Sequence, residues 1–387
     1  MDSAPNLQIT SRLPSAGTTI FTVMSGLAAE HGAVNLGQGF PDYPIDPVLA
    51  SLVAKAMADG FNQYPLMAGV MSLREAIAAK MERCYGRAYD PVREVTVTSG
   101  ATEAIWATVS GLVHPGDEVI IFEPVYDSYG PAITLAGGKV VALPLTFPDF
   151  RIDWAAVRAA ITPRTRMIMV NFPNNPSGSI LRPADLGELA AITRGTKIVV
   201  VSDEVYEHMV YDGRAHQSIA RHAELSARSV VIGSFGKTFH ATGWKIGYAC
   251  APREISDEIR RVHQFMVFTV SSPMQHGIAA FLADPSRYEG LGAFFQGKRD
   301  LFRELMAGTP FDFLPAEGAY FQLATYAKVS DEPDAEFATR LVKEYGVATI
   351  PLSAFHARPP AHRVIRFCFA KKDETLRAAA ERLRKLR

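Results

Sequence analysis

Short runs of apolar and β-branched residues alternate with helix-like stretches between about Glu94 and Ala251. Runs of this kind occur at 95–98, 119–122, 139–144, 167–171, 198–203, 230–234 and 246–251. Regular alternation of strands and helices predicts an α/β sheet. Several runs, such as 198–201, are apolar at every position, which is typical of mostly parallel strands that are covered by helices on both faces.

The pattern changes after Pro285. A helical segment is predicted at 299–306, strands at 320–323 and 364–369, and a charged amphipathic helix at 373–387. The first 45 or so residues follow neither pattern, and we expect them to pack on this second part. The sequence therefore predicts a large domain at 46–285, with a mostly parallel seven-stranded sheet, and a smaller α+β domain built from 1–45 and 286–387.

Composition points to small-molecule chemistry. The chain has 387 residues, of which 48% are hydrophobic, enough for two domains with a sizeable core. Forty basic residues balance forty acidic ones, so neither nucleic acid nor an anionic membrane is indicated as a partner. The amino terminus lacks a signal-peptide pattern, and no apolar run approaches the ~18 residues of a membrane span. We expect a cytoplasmic protein.

The cysteines do not suggest a structural framework. Cys84, Cys250 and Cys368 are far apart in the chain and never occur in a C-x-x-C spacing. This argues against disulfides and against a structural zinc site, and we predict no metal. Buried free thiols are expected.

Two lysines stand eight residues apart in the stretch GSFGKTFHATGWKIGY at 233–248. The letters GKT could end a nucleotide-binding P-loop, whose pattern requires a glycine five residues before Gly236. Position 231 is valine, so that pattern is not met. A lysine in a turn of small residues can instead form a Schiff base with a carbonyl compound.

Polar and aromatic residues follow the predicted strands, where ligands bind in open α/β sheets. Small residues at 99–103 open a helix and suit a phosphate, Tyr126 could stack on a flat ligand, and the loop 171–178 carries amide side chains. Asp203 ends an apolar strand, where a buried carboxylate requires a cationic partner. Each feature alone also has a purely structural explanation, such as a helix cap or a packed ring.

These residues carry a resemblance to a known family. The stretches SDEVYEHMVYDG, NNPSG and SFGKTFHATGWKIGY resemble the class I aminotransferases of the fold-type I pyridoxal-phosphate enzymes. Within that class, TTIFTVMSGLAAEHGAVNLGQGFPD, NQYPLMAGV and IRFCFAKK are similar to bacterial methionine aminotransferases and to related kynurenine and glutamine transaminases. The resemblance extends over nearly the whole chain.

The resemblance implies roles around the cofactor ring. Lys237 matches the Schiff-base lysine, which is also the base that moves the proton. Asp203 matches the aspartate that pairs with the pyridine nitrogen. Tyr206 and Asn175 match the residues that bind the phenolic oxygen, and Tyr126 matches the ring that stacks on the cofactor.

The resemblance also implies how the phosphate is bound. Lys245 matches the phosphate-binding cation, together with Ser234 and the backbone of Gly100, Ala101 and Thr102. Tyr64 corresponds to a tyrosine that reaches across a dimer interface to the cofactor phosphate of the other subunit. A homodimer with shared sites follows from this correspondence.

The substrate residues are implied in the same way. Arg366 matches the arginine that binds the substrate carboxylate bidentately, with Asn175 beside it. Gly39 fits the glycine whose backbone covers that carboxylate. Phe21 and Phe268 match positions near the substrate side chain. The expected activity is transfer of an amino group from methionine, or another large apolar or aromatic amino acid, to a 2-oxo acid by a ping-pong mechanism.

A few positions depart from the family pattern. Ser177 replaces the usual threonine of NPTG, and Thr102 and Thr269 stand where kynurenine-preferring relatives have a tyrosine and a histidine. These two threonines argue against kynurenine as the main substrate. A carbon–sulfur β-lyase on the same fold is an alternative activity, and a cofactor-binding regulatory module is a more remote one.

Overall fold

A computed structural model of the protein describes residues 9–14 and 16–386. The α-helices are α1 Ile20–Glu30, α2 Pro47–Ala58, α3 Met71–Tyr85, α4 Gly100–Leu112, α5 Tyr129–Leu135, α6 Trp154–Ala160, α7 Pro183–Thr193, α8 Ala223–Ser226, α9 Phe235–Thr238, α10 Arg253–Met266, α11 Ser272–Leu282, α12 Ser286–Glu289, α13 Leu291–Leu305, α14 Asp334–Tyr345 and α15 Asp373–Leu383. The strands are β1 Val34–Asn35, β2 Val95–Thr98, β3 Glu118–Glu123, β4 Lys139–Pro144, β5 Thr165–Asn171, β6 Val199–Asp203, β7 Ser229–Ser234, β8 Gly247–Cys250, β9 Asp312–Phe313, β10 Phe321–Thr325, β11 Val347–Ala348, β12 Ile350–Pro351 and β13 Val364–Cys368.

The largest sheet has seven strands in the order β2-β8-β7-β6-β5-β3-β4. Strand β8 is antiparallel to both neighbours, and the other pairs are parallel. The α/β prediction is confirmed. Continuously apolar strands arise because both faces are covered: Val119 and Ile121 of β3 join one buried cluster, whereas Ile120 and Phe122 join another.

A second, four-stranded antiparallel sheet has the order β12-β13-β10-β9. Its core is rich in phenylalanine, and the Phe302 and Phe311 rings pack against Phe367. The predicted helix at 299–306 is part of α13, which begins earlier, at Leu291. Glycines in the first turns of α13 weaken the apolar pattern there, which is why the sequence indicated only its second half.

The amino-terminal strand lies beside the carboxyl-terminal part of the chain. Val34 of β1 pairs with Val347 of β11 in a two-stranded parallel sheet. Helix α1 also contacts β11, β12 and α14. The division of the chain into domains at 46–285 and at 1–45 with 286–387 stays a prediction.

The three cysteines are free, as expected, but they are not equally buried. Cys250 and Cys368 are buried, whereas Cys84 near the end of α3 is only half-buried. In the described part of the chain, no helix is both long and apolar enough to cross a membrane.

The ends of three parallel strands meet the amino terminus of α4 at one edge of the large sheet. Asn171, Asp203 and Ser234 are the last residues of β5, β6 and β7. Gly247, the first residue of β8, lies against this helix end, and a Cβ atom there would be 2.7 Å from the amide nitrogen of Ala101. Glycine therefore allows β8 to approach the first turn of α4.

Candidate active site

A cavity of about 200 Å³ opens at this edge of the sheet. Most of the residues that the sequence assigned to a cofactor come together in its wall: Gly100, Ala101, Thr102, Tyr126, Asn175, Asp203, Tyr206, Ser234, Lys237 and Lys245. The cavity thus has a carboxylate, two amines, aromatic rings and a helix amino terminus in one small volume.

Asp203 is a buried carboxylate with neutral partners. Only 4% of the residue is exposed. One carboxylate oxygen accepts a hydrogen bond from the Tyr129 hydroxyl at 2.6 Å, and the other accepts one from the Val205 amide at 3.3 Å. Burial raises the pKa of Asp203 to about 6, although both hydrogen bonds oppose the rise. A cationic ligand would offset the cost of this buried charge.

Lys237 lies in the single turn of α9, and its amine faces the Gly39 carbonyl. Its Nζ donates a hydrogen bond to that oxygen at 3.3 Å. Burial is the largest cause that lowers the pKa of Lys237 to about 8; the positive charges of Arg366 and Lys245 act in the same direction, and Asp203 opposes them. A sizeable fraction of the amine is therefore uncharged near neutral pH, and an uncharged amine is the nucleophilic form.

The opposite end of the cavity is positively polarised. Lys245 has a left-handed backbone with φ 53°, and its amine lies close to the first residue of α4. A Cβ atom at Gly100 would be 3.3 Å from that amine, so Gly100 leaves the lysine room beside the helix end. The free N–H groups of the 13-residue helix α4 and the Lys245 charge together suit a phosphate.

Glu103 and His263 form a buried pair beside the amino-terminal end of α4. The Glu103 carboxylate accepts a hydrogen bond from the Ser99 amide and contacts the fully buried His263 ring. The other ring nitrogen of His263 lies 2.9 Å from the Met67 carbonyl oxygen. The hydrogen bond and the charge of Glu103 raise the pKa of His263 in spite of its burial.

Two tyrosines complete the cavity wall. Tyr126 is half-buried and meets the Tyr129 ring edge-on, at 5.9 Å between centroids. Tyr206 is buried and packs edge-on against Tyr320 at 5.0 Å. Burial raises the pKa of Tyr206, so its hydroxyl keeps its proton and can donate a hydrogen bond.

Arg366 lies behind this wall and is fully buried. Its guanidinium donates to the Asn175 side-chain oxygen at 2.7 Å and to the Gly37 carbonyl at 2.5 Å. Its Nε is buried without a hydrogen-bond partner among the described residues. Burial lowers the pKa of Arg366 to about 10. An arginine held in this way can bind a carboxylate that reaches it.

Gly39 lies between Lys237 and an aromatic surface. Its carbonyl accepts hydrogen bonds from the Lys237 amine and, at 2.7 Å, from the Tyr320 hydroxyl. A Cβ atom at Gly39 would be 3.1 Å from the Phe321 ring. The close approach of this backbone to the rings therefore leaves little space for a side chain.

Phe21 lies in an adjoining cavity of about 570 Å³, which shares Tyr126 with the first one. The Phe21 ring packs edge-on against Phe355 at 5.8 Å. Arg12 also lines this cavity, and its guanidinium donates to the Leu135 carbonyl at 2.8 Å. The wall contains three aromatic rings, those of Phe21, Tyr126 and Phe355, among mostly small and aliphatic residues, and the charged residues Glu123 and Asp127 line it together with Arg12.

Tyr64 and Phe268 are not brought to the cavity of their own chain. Tyr64 is 83% exposed and Phe268 is 43% exposed, and their rings meet edge-on at 5.5 Å. Thr269 donates a hydrogen bond to the Leu66 carbonyl beside them.

Several residues of the site were missed by the sequence analysis. Tyr129 binds Asp203, Tyr320 binds Gly39, and Val205 lies in the cavity wall. Tyr129 begins helix α5, three residues after Tyr126, and no local pattern marks it as a partner of Asp203, 74 positions away. Tyr320 is 281 positions from Gly39, and no local pattern predicts that contact.

Comparisons with known proteins bear on this arrangement. The family described as aminotransferase class I and II matches residues 32–383. The chain is 49% identical to the methionine aminotransferase of Escherichia coli strain K12, with 97% of this chain and 98% of that protein covered. It is 41% identical to a probable N-succinyldiaminopimelate aminotransferase of Mycobacterium tuberculosis, with 96% and 97% covered. A solved Escherichia coli structure with an identified methionine aminotransferase function has a TM-score of 0.96 to this chain, at 49% identity, covering 98% of this chain and 100% of that one.

Proposed function

The chain belongs to the class I and II aminotransferases, and from this premise we propose that it uses pyridoxal phosphate and takes methionine as an amino donor. Its fold is that of the fold-type I enzymes, and the resemblance noted in the sequence is confirmed. It is an enzyme that moves amino groups of amino acids. The observation that carries the proposal is the cavity that combines Asp203, Lys237 and Lys245.

The residues present fit this cofactor. The cationic end, made by Lys245 and the first turn of α4, suits its phosphate. The buried carboxylate of Asp203 has only neutral partners and suits a protonated ring nitrogen. Tyr126 offers a flat face to the ring, and Tyr206 with Asn175 would donate hydrogen bonds to its phenolic oxygen. When bound, pyridoxal phosphate supplies an aldehyde that takes up the amino group and a ring that accepts electron density.

Lys237 would hold the cofactor and then move the proton. Its amine, with a pKa of about 8, is partly uncharged at neutral pH and so can act as a base. Its position beside the Gly39 carbonyl places this base next to the backbone that would cover the substrate. The Lys237 Nζ would accept the proton from the substrate Cα and return it on the product side.

Arg366 would bind the substrate carboxylate. It has an unpartnered buried Nε and is already oriented by Asn175 and Gly37. A planar guanidinium binds a carboxylate bidentately, and so fixes the direction of the Cα–H bond. The Gly39 backbone would close over the carboxylate from the other side.

The side-chain preference follows from the adjoining cavity. Phe21, Tyr126 and Phe355 contribute aromatic rings to a wall that is otherwise mostly small and aliphatic, and a flexible thioether makes favourable contacts with such rings. We propose methionine as a good donor, with leucine, phenylalanine and tyrosine as weaker ones. Arg12 is the cation that could accept a distal carboxylate, so donors that carry one belong in the same comparison.

The exposed rings at Tyr64 and Phe268 support a homodimer. Large apolar side chains that cluster on a surface mark a contact with another molecule. In the proposed dimer, Tyr64 serves the cofactor phosphate of the partner subunit, and each site is complete only in the pair.

The decisive experiment is to locate the cofactor on the chain. Protein incubated with pyridoxal phosphate is reduced with borohydride, digested and mapped. We expect the adduct on Lys237, with none on Lys245, which is the matched control in the same stretch. An adduct on another lysine would contradict the proposed roles.

A donor series then tests the reaction. We expect loss of the bound cofactor's absorption on adding methionine, and kcat/KM higher for methionine than for aspartate, glutamate or kynurenine with a common 2-oxo acid. A preference for aspartate would contradict the aromatic-pocket argument. Steady release of pyruvate and ammonia from cystathionine without a 2-oxo acid would instead support the β-lyase.

A further inference from the structure

The segment at 36–42, which carries Gly39, is fastened to the carboxyl-terminal part of the chain. Its backbone and its one aspartate accept hydrogen bonds from residues 366–375 at four places, in addition to those at Gly39. The donors are the Arg366 side chain to Gly37, the Cys368 amide to Leu36, the Lys371 amine to Phe40, and the Lys372 amide and Thr375 hydroxyl to Asp42. Segment 36–42 is therefore held in place by β13 and by the start of α15.

Lys371 is the unusual member of this set. The residue is 3% exposed, and its amine donates to the Phe40 carbonyl at 2.8 Å. The amine also lies 5.0 Å from the centre of the Phe40 ring. Lysine is almost never fully buried unless it is paired with an acid, because the ammonium loses its hydration. In the described part of the chain, this amine donates its hydrogen bond to a neutral carbonyl.

A lysine amine that is buried against a neutral carbonyl at such a place favours a role in the site over a role in stability. Residues that break a packing rule in natural proteins concentrate where function requires them. Phe40 directly follows Gly39, whose carbonyl contacts both Lys237 and Tyr320. Only the φ and ψ rotations of Phe40 separate its carbonyl from the Gly39–Phe40 peptide, so holding the Phe40 carbonyl restricts the Gly39 carbonyl.

We propose that Lys371 is a positioning residue for the substrate-carboxylate site. Its buried amine holds the Phe40 carbonyl, and this keeps the Gly39 backbone between Lys237 and the Tyr320 and Phe321 rings. The inference rests on the proposed function, in which Arg366 and Gly39 receive the substrate carboxylate. Lys371 itself contacts neither the substrate nor the cofactor in this proposal.

The chain offers a matched control in the next residue. Lys371→Met and Lys372→Met remove the same charge and leave a similar stem, but the Lys372 side chain is exposed, and only its backbone amide binds Asp42. We expect the KM for methionine to rise about 10- to 100-fold in Lys371→Met, because small displacements in a site have effects of this size. The kcat at saturation should change little, and Lys372→Met should behave as the wild type.

Two ligands distinguish a defect in carboxylate binding from a general loss of activity. The inhibition constant of 3-phenylpropanoate, a carboxylate without an amino group, should rise in Lys371→Met by about the same factor as the KM. The reaction of the cofactor-loaded enzyme with 3-(methylthio)propylamine, which is methionine without its carboxyl group, should keep its wild-type rate. Equal losses with methionine and with this amine would overturn the proposal, as would an unchanged KM for methionine.

Hydrogen exchange tests, independently of the proposed function, whether Lys371 holds segment 36–42 in place. In cofactor-free protein, hydrogen exchange of the amides at 37–42 should be faster in Lys371→Met than in Lys372→Met or the wild type. Unchanged exchange at 37–42 overturns the proposal. Absence of transamination in the wild type would remove the proposed function, and the exchange result would still decide whether Lys371 holds this segment.

A second variant, Lys371→Arg, keeps the proposal testable if Lys371→Met folds poorly. Lys371→Arg keeps a cationic donor at the position, and we expect its KM for methionine to stay closer to the wild type than that of Lys371→Met. If only Lys371→Arg folds, a methionine KM that rises while the rate with 3-(methylthio)propylamine holds supports the proposal. Equal losses with both compounds overturn it.

Discussion

The cavity at the edge of the large sheet and the surface around Tyr64 differ in whether their side chains have partners within the chain. In the cavity, Asp203 and Lys237 have partners from distant parts of the same chain. On the surface, Tyr64 is 83% exposed and Phe265 is 85% exposed. In the proposed dimer, one chain supplies the groups assigned to catalysis, and the partner covers the aromatic surface.

The two regions are nevertheless joined through buried groups. His263 contacts Glu103, which binds the amino-terminal turn of α4, and its other nitrogen faces the Met67 carbonyl in the loop after Tyr64. These contacts connect the surface loop to the helix end that forms the predicted phosphate site of the same chain. The following predictions separate groups that act within one chain from those that need two.

The largest effect is expected at Lys237. Lys237→Ala removes both the amine that would hold the cofactor and the base, and general base catalysis alone contributes about 10²- to 10⁴-fold. We expect turnover to fall by at least about 10⁴-fold. Lys245→Ala, the control in the same stretch, should weaken cofactor binding and regain most of its turnover at high cofactor concentration. Comparable kcat values for the two variants would place the base elsewhere.

A somewhat smaller loss is expected at Asp203. Asp203→Asn keeps the shape but cannot hold a ring nitrogen protonated, and we expect the half-reaction with methionine to slow by about 10²- to 10³-fold. Stopped-flow spectra of the loaded variant measure this rate, with Asp203→Glu as the variant that keeps the charge. A loaded Asp203→Asn variant of near wild-type rate would remove Asp203 from its role.

Tyr64→Ala is expected to cause an intermediate loss of activity, which mixing with Lys237→Ala chains should partly reverse. Lys237→Ala and Tyr64→Ala chains each lack one part of a site, but a hybrid dimer contains one intact site. If subunits exchange randomly, half of the dimers are hybrids with one of two sites working, so activity can recover to about one quarter of wild type. A fully active monomer in sedimentation at the assay concentration would exclude this arrangement.

The pH dependence of Lys237 tests its burial within one chain. Because its pKa is lowered to about 8, the amine loses its proton as pH rises through 8. Covalent uptake of pyridoxal by cofactor-free protein should therefore increase about fivefold from pH 7 to 8 and level off above pH 9. Uptake that is still rising at pH 10 would show an ordinary exposed lysine.

The smallest effect is expected at Tyr129. Its hydrogen bond opposes the rise in the pKa of Asp203, so Tyr129→Phe should raise that pKa further. One hydrogen bond contributes about 0.5 to 1.5 kcal/mol, and we expect turnover at neutral pH to fall by about two- to tenfold. The acid limb of the pH–rate profile should move to higher pH. An unchanged limb would mean that Tyr129 does not act through Asp203.

The sequence predicted the parts of the site that follow directly from strand ends. Asp203 ends a buried parallel strand, and strand ends are where ligands bind in such sheets; Ser234 also ends a strand, but its role was implied only by the family resemblance. It could not predict Lys371 or Tyr320, because their partners lie 331 and 281 positions away. Such contacts depend on how two sheets are placed relative to each other, and hydrophobic periodicity carries no information on that placement.

The strand order also determines when the site can form during synthesis. Strand β2 is at the edge of the large sheet and pairs only with β8, where Val95 lies opposite Cys250. In the described part of the chain, strand β2, which leads into α4, therefore has no partner strand until about two thirds of the chain has been synthesised. Segment 36–42 can form its hydrogen bonds only later, after the donors at 366–375 have been synthesised. Contacts of such high sequence separation form slowly, so the nascent chain exposes its unfinished sheet edge during most of translation.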